Sequence, residues 1–192
     1  FCRDIRADAR ISHIPVIMLT AMTTRQQKIE GLNSGADVYL HKPFDRKEFA
    51  LLVSNQYEVR ERMKKRFLQN FSADHLPEDL TPSDREFLRQ LVEYVSDHLD
   101  SEIELSELGR SLGVSRTQLF RKMKALLGMS VTEFIRDYRL RRAFELLQTK
   151  DLRIGEVIQM TGFNSRSYFY RSFKAKFGCR PTEVKDTNNV ES

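Results

Sequence analysis

Two segments of this sequence, 114–128 and 164–178, carry the same cationic side chains at the same spacing. Three cations in each segment coincide at an offset of fifty residues: Arg116, Arg121 and Lys124 in the first, and Arg166, Arg171 and Lys174 in the second. A guanidinium group donates paired hydrogen bonds to a guanine edge, and an ammonium group binds phosphate as a point charge. Because charges that merely keep a surface hydrated need not recur, the recurrence favours a polyanionic ligand.

The apolar residues of each segment predict the elements that carry these cations. In the second segment, Phe169, Phe173 and Phe177 recur four apart and place three rings on one stripe of a helix. A shorter helix precedes it, and Gly162 breaks the chain between the two. Before the turn the repeat has an offset of forty-nine, so Gly113 takes the place of Gly162. Each segment therefore predicts a helix, a turn and a second helix with one apolar and one basic side, which is the form of a recognition helix for the DNA major groove.

A single helix from Glu133 to Lys150 is predicted between the two units. Phe134 and Leu146 are among its core residues, whereas four arginines are expected on its outer side: Arg136, Arg139, Arg141 and Arg142. Its predicted length is roughly 25 Å, from the rise per residue of an α-helix. Successive major-groove faces on one side of a duplex are ~34 Å apart. Two recognition helices could therefore enter adjacent grooves with some bending of the DNA.

The first part of the chain has the pattern of strand, helix, strand and helix. Val16–Leu19 is a short apolar run that fits a strand buried on both faces, and residues 36–40 fit a second strand. A helix from Thr24 to Ser34 is predicted between them, and another begins near Asp45 and can continue through Phe67. This order implies a parallel crossover, and ligands of such sheets bind at the carboxyl ends of the strands.

Charge is distributed unevenly along the chain, although the formal net charge is only +5. Residues 81–107 carry two basic and eight acidic side chains, whereas residues 110–142 carry nine basic and two acidic ones. This division gives the molecule one basic side, suited to a polyanionic partner. The sequence opens with Phe1 rather than an initiator Met, so we expect a piece of a longer protein.

The residue inventory gives little support to catalysis or metal binding. Cys2 and Cys179 lie far apart and outside any C-x-x-C pattern, which favours reduced thiols and a cytoplasmic location. The histidines are scattered, so neither a catalytic triad nor a metal site can be drawn, and no cofactor is expected. The longest apolar run, Ile14–Met22, is far too short to span a bilayer, so no membrane contact is expected.

The later part of the sequence resembles the DNA-binding domain of AraC-type transcription factors. The resemblance covers about residues 84–186 and rests on two units, a linking helix and the signature G-F-x-S-x-x-Y-F-x-R-x-F-K-x-x-F-G-x-x-P. It implies base-reading roles for four residues in each recognition helix: Arg116, Thr117, Phe120 and Arg121, and Arg166, Ser167, Tyr170 and Arg171. Five further residues are expected to contact phosphates, the two serines as helix caps or phosphate ligands: Ser115, Lys124, Arg142, Ser165 and Lys174.

The earlier part resembles a response-regulator receiver domain, a doubly wound, flavodoxin-like module. Its motifs I-P-V-I-M-L-T-A and G-A-D-V-Y-L-H-K-P-F look like the last two strands of that domain. The resemblance implies phosphoryl contacts for Thr20 and Lys42 and a cis Lys42–Pro43 bond. The phosphoacceptor aspartate and the acidic pair that holds Mg²⁺ lie on earlier strands in the family. We therefore expect Mg²⁺ only in a complete receiver, and other residues must complete this sheet.

Together the patterns predict a mostly α-helical chain, in which a partial α/β receiver fragment precedes an all-α DNA-binding domain with two helix-turn-helix units. The predicted divisions are 1–56 for the second half of a receiver, 57–83 for a connecting helix and linker, 84–186 for the DNA-binding domain, and 187–192 for a tail. The predicted function is sequence-specific transcriptional regulation at the output end of a two-component phosphorelay. The expected partners are double-stranded DNA, a histidine kinase in the same or another polypeptide, and a second copy in a homodimer.

Two other functions stay open at the level of sequence. One is an interaction module whose helices bind a protein, and a salt-insensitive association without binding to duplex DNA would indicate it. The other is a DNA-repair type of enzyme fused to an AraC-type domain, with a nucleophilic cysteine. Cys179 lies in the turn after the second unit with no histidine near it in the sequence, which weakens that alternative.

Overall fold

Helices make up most of the computed structural model, which describes residues 2–8, 10–21, 35–70, 76, 80–149 and 152–186. The prediction of a mostly α-helical chain is confirmed. The predicted helix from Thr24 to Ser34 and the tail 187–192 lie outside the described residues, as does most of the predicted linker. The helices are α1 (Cys2–Ala7), α2 (Arg46–Asn70), α3 (Pro82–Asp97), α4 (Leu105–Ser111), α5 (Arg116–Leu127), α6 (Val131–Thr149), α7 (Ile154–Met160), α8 (Arg166–Phe177) and α9 (Pro181–Asp186).

Two short strands, β1 (Ile17–Thr20) and β2 (Val38–His41), pair in parallel, as their sequence pattern predicts. The prediction that the first strand is buried on both faces is wrong for the part of the chain that the structure describes, because the Leu19 side chain is 43% exposed. A pair of strands alone cannot cover both of its faces. The Lys42–Pro43 peptide bond is cis, as expected.

Helix α2 is one continuous helix of 25 residues that crosses the predicted boundary between 56 and 57. It packs against α5. Phe67, near its end, is buried, whereas Leu51 and Tyr57 are more than 60% exposed. The helix therefore contributes to a core through its second half.

The described chain divides into two compact units, one formed by residues 1–92 and 109–129 and the other by residues 93–108 and 130–192. The buried side chains of the first unit include Phe67 from α2, Phe87, Leu88 and Leu91 from α3, and Leu119, Met123 and Leu127 from α5. The predicted apolar stripe of α3 thus forms part of a core. The predicted domain divisions stay a prediction.

In the second unit, the phenylalanine stripe of α8 forms a ladder of aromatic contacts. The ring centroids of Phe169 and Phe173 are 5.5 Å apart, and those of Phe173 and Phe177 are 4.7 Å apart. Phe144 of α6 contacts the end of the ladder, 4.7 Å from Phe177, and Phe163 meets Phe169 edge to face at 5.1 Å. Aromatic pairs at such distances add to the stabilisation from burial. The ladder fixes which side of α8 faces the core.

His13 is buried in the first unit in an unfavourable electrostatic environment. Its side chain is 8% exposed, and its Nδ1 atom has no hydrogen-bond partner within the described residues. Burial lowers the pKa of the imidazole. The nearby Asp84 carboxylate opposes this shift, whereas the charges of Lys122 and Arg60 reinforce it.

We expect acidification to destabilise the fold through His13. Because its pKa in the folded chain lies below the usual 6.5, the unfolded chain takes up a proton that the folded chain excludes as the pH falls through that value. The free energy of unfolding should therefore decrease between about pH 7.5 and about pH 5.5. The His13→Gln variant should show a smaller decrease in urea denaturation at these two pH values. An identical pH dependence in both proteins would show that His13 has no such role.

Candidate nucleic-acid interface

The two helix-turn-helix repeats, α4–α5 in the first and α7–α8 in the second, have turns that are closed by the same backbone hydrogen bond. The Val114 amide donates to the Gly109 carbonyl at 2.9 Å, and the Phe163 amide donates to the Ile158 carbonyl at 3.1 Å. These pairs are related by the offset of forty-nine residues that the sequence repeat has before each turn. The predicted repeat is thus present in the backbone geometry as well as in the residue pattern.

A glycine in the left-handed region stands in each turn, Gly113 with φ +66° and Gly162 with φ +67°. Residues other than glycine adopt this backbone conformation only at a cost in free energy. At Gly162 space is also restricted, because a Cβ atom there would lie 2.5 Å from the Leu99 carbonyl oxygen. Glycine is therefore required at position 162 on two independent grounds.

Serine caps start both recognition helices, α5 and α8. The Ser115 hydroxyl accepts a hydrogen bond from the Gln118 amide, and the Ser165 hydroxyl accepts one from the Tyr168 amide, both at 3.3 Å. Such caps satisfy one of the free amides of a helix's first turn. The cap role expected for both serines is observed, and their contact with phosphate stays a prediction.

The base-reading candidates lie on matching faces of α5 and α8. Six of the eight are exposed: Arg116, Thr117, Arg121, Arg166, Ser167 and Arg171. Phe120 and Tyr170 are half-buried. Because these exposed residues recur at the same helical positions in both units, each unit presents the same set of donors to solvent.

An arginine in the first turn of each recognition helix stacks near the aromatic ring four residues later. The Arg116 guanidinium lies 5.8 Å from the Phe120 ring centroid, and the Arg166 guanidinium lies 5.6 Å from the Tyr170 centroid. A cation over a ring face is attracted by its quadrupole. The ring therefore restricts the directions in which the arginine extends.

The phosphate candidates differ in how they are engaged. The Lys124 ammonium donates to the Gly128 carbonyl at 3.0 Å, and Lys174 occupies the equivalent exposed position of α8. Arg142 on α6 forms an ion pair with Glu145 at 2.8 Å, in which both side chains are about half exposed. The nearby carboxylate offsets part of the charge that Arg142 could offer to a phosphate.

Arg171 lines a groove of the second unit together with Arg136 and Lys176. The Lys176 ammonium lies 2.6 Å from the Asp137 carboxylate, and the Arg136 guanidinium lies 3.2 Å from it. Asp137 thus holds two neighbouring cations in place beside Arg171. Neither Lys176 nor Asp137 was singled out by the sequence pattern.

The sequence pattern suggested that Arg139 lies on the outer side of the linking helix. In the structure its side chain is instead turned inward. Its guanidinium donates to the carbonyl oxygens of Gly162 at 3.1 Å and His98 at 3.3 Å, and also to that of Ser101. Burial lowers the pKa of this group. Arg139 follows the buried Ile135 by one helical turn, and this phase relation was the signal for its inward position. Its role is to tie the turn of the second unit to the chain between α3 and α4.

Thr20 and Lys42 meet at the same end of the parallel strands. The Lys42 amide donates to the Thr20 carbonyl oxygen at 2.7 Å. The structure thus brings together the two residues to which the receiver resemblance assigns phosphoryl contacts. Within the described residues, no cluster of histidine, cysteine and acidic side chains is arranged to hold a metal ion, and none of the described helices is long and apolar enough to cross a membrane.

Comparison with known proteins defines the class of the helical part. Residues 108–187 match the family model of a helix-turn-helix domain. A transcriptional regulator with an AraC-type DNA-binding domain from Chromobacterium violaceum has a similar structure, with a TM-score of 0.52 and 25% sequence identity. That match covers 56% of this chain and 96% of the other. Residues 108–187 therefore form a helix-turn-helix domain with the fold of AraC-type DNA-binding domains of transcriptional regulators.

Two curated relatives place this domain in a wider context. The chain is 31% identical over 100 residues to the xylose operon regulatory protein of Escherichia coli strain K12, a match that covers 52% of this chain. It is 39% identical over 189 residues to a protein of Formosa agariphila named histidine kinase P4, which covers 96% of this chain. The chain spans 26% of the length of the first relative and 14% of the second.

Replacing Gly162 should cost more stability than replacing Gly178, although both have positive φ. A Cβ at Gly178 has no neighbour within 4 Å, whereas one at Gly162 meets the Leu99 carbonyl. We expect Gly178→Ala to lower the free energy of unfolding by about 1–2 kcal/mol and Gly162→Ala to lower it by a further ~1–3 kcal/mol. Urea denaturation measures both variants. Equal losses would show that the close approach at Gly162 is relieved without cost.

Substitutions at Ser165 can separate its cap role from a phosphate contact. Asparagine and aspartate both cap helices well, but only aspartate adds a charge that repels phosphate. We expect Ser165→Asn and Ser165→Asp to keep the thermal stability of the wild type, and only Ser165→Asp to lower the affinity for duplex DNA, by about tenfold or more. Equal DNA affinities of the two variants would restrict Ser165 to the cap role.

Proposed function

We propose that the chain is the output part of a two-component phosphorelay and that α5 and α8 read adjacent major grooves of its operator. The observation that carries the DNA-reading part is the recurrence, on both helices, of the same exposed arginines behind the same serine cap and turn. A protein-binding surface has no need of one donor set presented twice, whereas a duplex offers the same groove every helical turn.

Arg121 and Arg171 are the proposed guanine readers. Both are exposed at the same position of their helices, and the guanidinium fork matches the two acceptors of guanine in the major groove. The remaining base-reading candidates are proposed to contact neighbouring bases from the same faces: Arg116, Thr117 and Phe120 on α5, and Arg166, Ser167 and Tyr170 on α8. The two aromatic rings are suited to apolar contact with thymine methyl groups.

The phosphate contacts are proposed to come from Ser115, Lys124, Ser165, Lys174 and Arg142. Four of them lie at matching positions at the ends of α5 and α8, on either side of the proposed base readers. Phosphate contacts at both ends of a helix fix its register in the groove. The linking helix α6 has 19 residues, which corresponds to a length of about 28 Å. This length agrees with units that bind successive groove faces of a bent duplex.

Residues 1–56 are proposed to belong to a receiver domain, with Thr20 and Lys42 at its phosphoryl site. The parallel pairing of β1 with β2 and the approach of Thr20 to Lys42 support this proposal. The relative named histidine kinase P4 aligns over 189 residues, which include both parts of this chain. That alignment favours a hybrid arrangement, in which the kinase and the regulator share one polypeptide. A cytoplasmic site of action and assembly as a homodimer belong to the same proposal.

Arg121→Ala and Arg171→Ala should each relax base preference at one position of a different half-site. Loss of a bidentate contact costs ~1–3 kcal/mol, which is about a five- to 150-fold loss of affinity for the preferred base. Selection of binding sites from a random duplex library, repeated with each variant, measures the preference. Arg62→Ala, which removes an exposed arginine of α2, is the matched control and should leave the selected sequence unchanged.

The result that contradicts the assignment is recovery of the wild-type motif at undiminished affinity by either variant. The salt dependence of binding separates the DNA reader from a protein-interaction module. DNA affinity must fall with rising salt because phosphate contacts release counterions. No retained duplex at low salt, together with a salt-insensitive association with protein, would favour the interaction module instead.

A further inference from the structure

A buried cluster of three polar side chains joins α5 to two other parts of the first unit. The Lys122 ammonium lies 2.8 Å from an Asp84 carboxylate oxygen and donates to the Ser12 hydroxyl at 2.9 Å. The Ser12 hydroxyl in turn donates to the same Asp84 oxygen at 2.7 Å. All three residues are at most 3% exposed. The three side chains therefore form a closed triangle of buried polar contacts.

Lys122 lies on the core face of a recognition helix, away from the residues proposed to meet DNA. Leu119, three residues earlier on the helix, and Met123, the next residue, are fully buried, whereas Arg121 and Lys124 are exposed. The ammonium also lies 4.7 Å from the Phe87 ring centroid. Lys122 belongs to the basic segment of the sequence, but its ammonium group is buried and therefore cannot contact a phosphate.

The partners of Lys122 come from distant parts of the sequence. Asp84 lies in the first turn of α3, and Ser12 lies between α1 and β1, 110 residues from Lys122. A buried ion pair keeps its energy only in one geometry, because a displaced charge is left unpaired in the interior. The triangle thus fixes the rotation of α5 about its axis relative to α3 and to the segment before β1.

Within the described residues, the second recognition helix has no counterpart of this triangle. At the offset of fifty residues the position of Lys122 is occupied by Ser172, and α8 is oriented by the phenylalanine ladder instead. The orientation of α5 therefore depends on the segment before β1, whereas the orientation of α8 depends on the phenylalanine ladder. A change in that segment should alter reading by α5 and leave reading by α8 intact.

We propose that Lys122 is the positioning residue of the first recognition helix, and that the Ser12 hydroxyl makes its position depend on the segment between α1 and β1. The part of this proposal that concerns DNA rests on the proposed function. In that setting, a rearrangement of the receiver part shifts α5 through the hydrogen bond between Lys122 and Ser12, and so alters binding to one half-site of the operator. The base-reading strength of α5 is then set by the receiver part, while α8 supplies constant binding.

Two variants of this chain and one matched control test this proposal. Ser12→Ala removes the link and leaves the ion pair, and Ser54→Ala, at an exposed serine of α2, is its matched control. Lys122→Met alone leaves a buried carboxylate without its cation and is expected to fold poorly. The double variant Lys122→Met/Asp84→Leu replaces both charges by apolar groups, a change that such sites often tolerate.

Hydrogen exchange measures positioning without DNA. In Ser12→Ala the amides of α5 should exchange about tenfold faster, while those of α8 and all amides of Ser54→Ala keep their wild-type rates. Equal rates in α5 of Ser12→Ala and of the wild type, or equal acceleration of α5 and α8, would overturn the proposal.

Binding to a duplex selected by the wild-type chain measures the effect on reading. The first half-site is the one whose preference changes in Arg121→Ala. Ser12→Ala and the double variant should bind the intact duplex about tenfold more weakly and should equal the wild type on a duplex with that half-site scrambled. A merely destabilised fold would weaken binding to both duplexes, and that result would overturn the positioning role. Failure of the wild type to select any duplex would overturn the proposed function, and hydrogen exchange would then decide the positioning role alone.

Discussion

The basic face of each recognition helix depends on a tight turn that one backbone hydrogen bond closes. The bonds from Val114 to Gly109 and from Phe163 to Ile158 set the angle at which α5 and α8 leave the preceding helix. A left-handed glycine makes each turn possible. Once that angle is set, only one side of the second helix can meet the core. The opposite side, with its arginines, is left to solvent, and the serine cap starts the helix at the residue before the first arginine.

Each unit also has a cationic side chain whose hydrogen bonds are made within the protein. In the first unit this is Lys122, which Asp84 and Ser12 hold inside the core. In the second it is Arg139, which binds carbonyl oxygens on both sides of the turn at Gly162. The two cations lie on different elements and engage different partners. The two units therefore repeat their exposed cations but not the internal contacts that support them.

The sequence was sufficient for the features that depend on local pattern. The repeat predicts both turns and the start of both recognition helices, because glycine, serine caps and apolar spacing act within a few residues of one another. The parallel strands and the cis bond before Pro43 followed from motifs of similar length. These predictions required no knowledge of distant contacts.

The features that were missed depend on partners far away in the chain. Lys122 follows Leu119 by three residues and so shares its buried face, but only Asp84, which is distant in sequence, makes that position tolerable for a charge. Arg139 was expected outside because arginines usually are, and its carbonyl partners lie in loops with no distinctive pattern. The two-sided burial expected for β1 would require neighbours that its own residues cannot specify. Local periodicity predicts which face a residue shares, and tertiary contacts decide whether a charge can occupy it.

The central claim is that one chain places two recognition helices in adjacent major grooves. Hydroxyl-radical footprinting of the wild-type chain on its selected duplex tests this claim most directly. The account predicts two protected stretches on one face of the duplex, with centres about one helical turn, or ~10 base pairs, apart. A single protected stretch the size of one half-site, or two stretches on opposite faces, would contradict it.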